Sequence, residues 1–159
     1  MAKTLILPLV AQDTPSLEAL KEALNGLDQN GVPQWGSMNP AQMLLHCSQF
    51  MDLYLGRVQL PIWVRWISRA IGPRFLRSFL VKPLGSTPRN MGTLPALRMG
   101  PGLHVDFEEG RRRFLEGLSE VESLEGVVLH PMYGPMKAED AQALVRHHTA
   151  HHFCQFGLI

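Results

Sequence analysis

Leu144-Val145-Arg146-His147-His148-Thr149-Ala150-His151-His152-Phe153-Cys154-Gln155-Phe156 places four of the chain's seven histidines within little more than one helical turn. Leu144 and Val145 mark the core-facing stripe of a helix. Continuing that stripe by three and four residues brings His148, then His151 or His152, then Gln155 and Phe156 to the same side, with His147 towards its edge. The spacing predicts a last helix from about Ala138 to Phe156 that turns imidazoles inward.

Three further segments carry the same period. Leu17, Leu20, Ala23, Leu24 and Leu27 predict a first helix between Thr14 and Leu27, with Pro15 and Ser16 at its start. Asn39-Pro40-Ala41-Gln42 supplies an N-cap, an N1 proline and an N3 glutamine, so a second helix runs from Pro40 to about Leu55. Its stripe is Met43, His46 or Cys47, Phe50 and Tyr54, with Gln42 and Gln49 on the turns either side of His46. Val105 to Leu124 regains the period through Phe107, Phe114, Leu115, Leu118 and Val121, although Gly110 and Gly117 weaken it. Arg111-Arg112-Arg113 has acids on either side and reads as a solvated face.

The remaining segments are punctuation and one anomaly. Asn25 to Pro33 and Gly126 to Pro135 read as connections, and the prolines and glycines between Lys82 and Gly102 predict a long loop. Ile62 to Val81 mixes Trp63, Trp66, Phe75 and Phe79 with arginines, and Gly72-Pro73 is expected to break it into two short helices. That segment reads first as a flap over the bundle end with solvated arginines, and second as a membrane-surface or partner-binding element. Four principal helices without a convincing strand predict an all-α, four-helix bundle, with an extra amphipathic segment and a long Pro/Gly-rich loop, as a single domain over 1–159.

Composition bounds the functions. With 159 residues, 45% apolar and 18% charged, the chain can bury a core without a disulfide or metal staple. A formal net charge of +1 gives no global field for nucleic acid. Cys47 and Cys154 lie far apart without CxxC spacing, so neither a disulfide framework nor a thiolate zinc site is expected. The start, Met1-Ala2-Lys3 followed by Leu5-Ile6-Leu7-Pro8-Leu9-Val10, has an apolar run too short for a signal peptide and reads as mature protein. No stretch approaches the ~20 apolar residues of a membrane span, and a cytoplasmic location without membrane insertion is expected.

Residues four apart share a helix face, so His148/His152 and His147/His151 are the two pairs able to hold one ion between them. A lone core histidine is usually a satisfied structural residue. Three converging imidazoles, with His46 as the third, are costly to bury unless ligated or hydrogen-bonded. Neutral imidazoles suit zinc, nickel, iron or copper, and three protein ligands leave positions open, as catalytic sites do.

Three blocks sharpen this reading: Trp35-Gly36-Ser37-Met38-Asn39-Pro40-Ala41-Gln42-Met43-Leu44-Leu45-His46-Cys47, then His130-Pro131-Met132-Tyr133-Gly134, then His148 to Gly157. In order and content they resemble a branch of the DinB/YfiT-like superfamily, itself described as a domain of unknown function. The resemblance implies an up-down-down-up four-helix bundle, often dimeric, whose metal is held by one histidine of the second helix and an HxxxH pair of the last. Carried over, the ligands are His46, His148 and His152, and the ion a divalent metal, zinc or nickel first. His151 and Gln155 match positions that orient a ligand ring. The chain departs from the branch at Lys137 and Ala141, where a threonine cap and a tryptophan are usual.

The resulting expectation is a metal-dependent enzyme acting on a small molecule by thiol transfer or hydrolysis, with Gln42, Gln49, Tyr133 or His151 placed to position substrate or relay protons. The alternative is a non-catalytic, stress-related interaction module in which the metal is structural. A homodimer is expected on the resemblance, and no nucleic-acid partner.

Overall fold

Helix starts follow local capping chemistry. The structure, a computed structural model, describes residues 14–80, 83–84, 87–90, 92, 94, 97–100 and 102–159, with side chains for all of these but 73–80. The short apolar run near Met1 and part of the Pro/Gly-rich loop lie outside the described residues. Helix α1 spans Leu17–Ala23, with the Ser16 hydroxyl accepting from the Ala19 N–H at 3.1 Å, and it tightens into a 3₁₀ turn over Leu24–Gly26. It is shorter than its apolar period because Asn25-Gly26 disfavours another α-turn. Its Leu17, Leu20, Leu24 and Leu27 are buried nonetheless.

Helix α2 spans Pro40–Asp52 and opens on a complete capping box: Asn39 Oδ1 accepts from the Gln42 N–H at 2.8 Å and Gln42 Oε1 accepts from the Asn39 N–H at 3.1 Å. Gln42 also donates to the Leu103 carbonyl at 2.9 Å, so its side chain is committed to structure. Helix α3 spans Ile62–Leu80 without a break. The expected break at Gly72-Pro73 does not occur. A proline inside a helix removes one backbone hydrogen bond and can be carried by a long helix. Gly72 is instead a contact point, since a Cβ there would collide with the Tyr133 ring.

Helix α4 spans Phe107–Glu122, capped by Asp106, and α5 spans Ala138–Gln155. Between them the expected connection is a hairpin. Strands β1 (Val127–His130) and β2 (Gly134–Lys137) pair antiparallel, with Val128 opposite Met136 and His130 opposite Gly134. The structure is therefore mostly helical, with five α-helices and one two-stranded sheet among the described residues. β2 runs directly into α5, whose Lys137 cap makes no side-chain hydrogen bond, so strand pairing sets that helix start. The Gln142 amide, within reach of the Val121 and Leu124 carbonyls at 3.2 and 3.3 Å, ties α5 to the end of α4.

Helix α2 packs against α4 and α5, and α1 against the same two. Phe114 of α4 and Phe153 of α5, rings 5.7 Å apart, sit in a core with the fully buried Leu20, Met43, Leu44 and Leu118. Gly110 and Gly117, which weaken α4 by propensity, face α2: a Cβ on Gly110 would lie 3.2 Å from the Ala41 carbonyl oxygen, and one on Gly117 2.9 Å from Met51 Sδ. Of the segment read as a flap, residues 62–81, the described part meets the hairpin where Gly72 packs on Tyr133 and leaves Ile62, Trp63, Trp66, Ile67 and Ile71 of α3 exposed.

The hairpin is held from inside by His130, which is 1% exposed. The Met132 and Tyr133 N–H groups donate to its Nδ1 at 3.2 and 3.3 Å, so the ring proton is on Nε2. The ring stacks on Tyr133 (4.6 Å, 12°) and packs on Tyr54, with centroids 4.7 Å apart. Burial pushes its pKa down to about 3.

Two predictions follow from this packing. Gly110→Val should destabilise the protein by about 1–3 kcal/mol through backbone overpacking, whereas Gly117→Ala meets only the flexible end of Met51 and should stay within about 1 kcal/mol of wild type; urea titration separates them. His130 is neutral when folded and titrates at its ordinary value when unfolded, so its stabilisation is complete above pH 6.5 and lost as pH falls towards 3. Between pH 7 and 5 that loss is about 2 kcal/mol. Metal-free wild type should therefore lose about that much more stability than His130→Phe over this interval, and equal slopes would refute the assignment.

Candidate metal centre

α2 supplies His46 and Phe50, and α5 supplies His147, His148, His151, His152 and Gln155. His46, His148 and His152 converge: each offers a donor atom, and the donors lie within 4.8 Å of one another. Their ring centroids stand 5.1 Å (His46–His148), 4.8 Å (His46–His152) and 4.7 Å (His148–His152) apart. Three nearby histidines of this kind could hold a metal ion.

The hydrogen bonds around the trio fix which atoms are available. His46 Nδ1 lies 2.8 Å from the Leu97 carbonyl oxygen, which can only accept, so Nδ1 carries the proton and Nε2 a lone pair. His152 Nδ1 lies 2.9 Å from Gln155 Oε1, while Gln155 Nε2 donates to the Trp35 carbonyl. That second bond sets the orientation of the amide, so Oε1 accepts from His152 and again Nε2 is left free. Gly36, at φ +80, makes room for this: a Cβ there would stand 2.5 Å from Gln155 Nε2. His148 is fixed differently, by its ring stacked on Phe50 at 3.8 Å and 6°. Its Nδ1 is buried without a hydrogen-bond partner among the described residues.

Electrostatics keep these rings neutral. Burial, partly offset by the Leu97 carbonyl, lowers the pKa of His46. Burial and then its neighbours His152 and His46 hold His148 well below the ordinary imidazole range. Burial, with His46 next, pushes His152 down to about 3. Neutral imidazole is the form that ligates metal, so no ring has to lose a proton at pH 7.

The trio forms one wall of a cavity of about 710 Å³, lined also by Trp35, Phe50, Tyr54, Leu97, Arg98, Met99, His130, Tyr133, His147 and His151. The volume suits a small molecule. Arg89 lies over the Trp35 ring at 4.4 Å, and Trp35 faces His151 at 5.8 Å. No carboxylate lines the cavity among the described residues.

Of the residues expected at the site, His46, His148, His152, His151, Gln155 and Tyr133 all line this cavity, and Gln49 and Gln42 do not. His147, expected at the stripe's edge, is buried at 1% exposure and lines the cavity. Two participants were not anticipated. His130 came only as part of the His130-Pro131-Met132-Tyr133 block, which signals it by motif and not by spacing. The Leu97 carbonyl has no sequence signal, because any residue there would present the same oxygen. The Cys47 thiol, one position from His46, is buried and its pKa is raised by that burial, which makes it a packing residue.

No curated protein and no solved structure matches the chain. A family model described as a protein of unknown function, DUF1569, matches residues 11–157. Covering nearly the whole sequence, the cavity and all three converging histidines, that match shows that the chain belongs to the DUF1569 family.

Proposed function

We propose that this protein is a metal-dependent enzyme in which His46, His148 and His152 hold one divalent ion, zinc or nickel first, and act on a small molecule by thiol transfer or hydrolysis. One observation carries the reading. Two of three converging imidazoles have their N–H groups committed to acceptors outside the trio, which leaves their lone pairs for a common centre. A bound ion would supply Lewis acidity, enough to make a nucleophile of water or a thiol near neutral pH. The protein's own part is to keep the rings neutral, hold them in one orientation and exclude bulk water.

The cavity favours a catalytic over a purely structural ion. Among the described residues no fourth His, Cys, Asp or Glu donor closes the set, and the space beside it is substrate-sized. With no carboxylate in the lining among the described residues, proton transfer falls to imidazole or phenol, and His151, half-buried beside His152 at 5.2 Å, offers a further imidazole on the same helix turn. The same reading places the chain in the DinB/YfiT-like superfamily, as a single cytoplasmic domain with a four-helix core of α1, α2, α4 and α5, and as a homodimer. The mutual packing of those four helices supports the core.

Elemental analysis of tag-free protein tests the centre. About one ion per chain is expected in wild type, lost in His46→Ala and in the double variant His148→Ala, His152→Ala; a metal content unchanged by these substitutions, or none after incubation with zinc and nickel, sinks the proposal. Gln155→Leu removes the acceptor for His152 and should weaken zinc binding by about 10–100-fold. Gly36→Ala, which displaces the same amide, should weaken it in the same direction. Competition with a chelating dye reads both.

A further inference from the structure

The outward face of α3 carries five large apolar side chains along its described length, with the exposed Arg69 at its edge. Ile62, Trp63, Trp66, Ile67 and Ile71 are between 54% and 69% exposed. At 3.6 residues per turn they and Ala70 share one half of the helix, whereas Gly72, buried, and Val64, Arg65 and Ser68, part-buried, occupy the other. A helix packed on a soluble core shows the reverse arrangement. Contiguous apolar patches of this kind mark surfaces that meet something else.

Charge indicates what they meet. Between Pro61 and Pro83 the chain carries five of its fifteen lysines and arginines and none of its fourteen acids. Arg65 and Arg69 lie on α3, and Arg74, Arg77 and Lys82 follow within and just beyond it in sequence. A second copy of this chain, docked face to face about a two-fold axis, would set this acid-free stretch against itself, cation facing cation. An apolar stripe with two tryptophans, cationic surroundings and no acid fits the boundary between anionic headgroups and acyl chains. No described helix is long and apolar enough to cross a membrane, so α3 would lie in the plane of the surface.

We infer that α3 docks this protein on an anionic lipid surface through Ile62, Trp63, Trp66, Ile67 and Ile71. The docking joins the cavity through Tyr133, whose ring packs on Gly72 of α3 and lines the cavity wall. This inference does not depend on the metal centre.

Co-sedimentation with phosphatidylcholine vesicles, with and without about one-third phosphatidylglycerol, tests it. Wild type should pellet with the anionic vesicles at low salt, be released by high salt, and show a blue-shifted tryptophan emission. Trp63→Ser with Trp66→Ser should lower the partition at least tenfold while melting as wild type does, because the exchanged side chains are exposed. Arg65→Glu with Arg69→Glu should do the same for the anionic vesicles. Failure of wild type to pellet overturns the proposal, as does equal pelleting of the variants. Light scattering that shows a dimer converted to monomer by Trp63→Ser with Trp66→Ser, without vesicle binding by wild type, overturns it in favour of a self-association face.

Discussion

An imidazole taken out of water must be neutral, and a neutral imidazole has one N–H to satisfy and one lone pair to use. This constraint acts at His46, His130, His148 and His152 at once, each with its pKa driven down by burial. An unsatisfied buried polar group costs about 1–3 kcal/mol, so a small helical protein cannot gather several without arranging acceptors for them. At His46 and His152 those acceptors are in place, whereas His148 Nδ1 and His130 Nε2 are buried without a hydrogen-bond partner among the described residues.

The ligand candidates sit on two helices and their acceptors on loops. α2 and α5 fix the positions of the rings through core packing, which loops could not do to the same precision. The acceptors are backbone carbonyls: Leu97 directly for His46, and Trp35 through the Gln155 amide for His152. A carbonyl can be delivered by any residue, so the loop sequences are constrained by shape more than by side chain. Gly36 is the exception, because its positive φ and the nearness of Gln155 exclude a Cβ.

What was legible in the sequence was local. Asn39, Pro40 and Gln42 announce the start of α2 because capping is chemistry between neighbours, and the structure contains the whole box. The inward stripe of α5 was legible because Leu144 and Val145 share a face with His148 and His152. The hairpin was not, since each strand is four residues long, too short for alternation to register, and β2 carries a proline. The continuity of α3 was hidden by Gly72-Pro73, whose breaker reading ignores a contact supplied by Tyr133 from the hairpin. Gly110 and Gly117 looked like weaknesses of α4 until α2 was set against them. Leu97, with a carbonyl for its contribution and 51 residues separating it from His46, was beyond any pattern.

The chain departs from the ordinary rule of burial in two opposite directions. Imidazoles go inside and tryptophans outside, and each inversion lowers the stability of the isolated fold relative to the reverse arrangement. The first is compensated within the chain at His46 and His152, by carbonyls and an amide that leave their lone pairs free. The second has no compensation among the described residues, since no described element covers Trp63 or Trp66. A free-energy deficit met internally describes a site ready to receive something small, whereas one left open on an exposed helix face describes a surface that is completed by contact. Tyr133, its ring packed between Gly72 of α3 and His130, connects that face to the cavity wall.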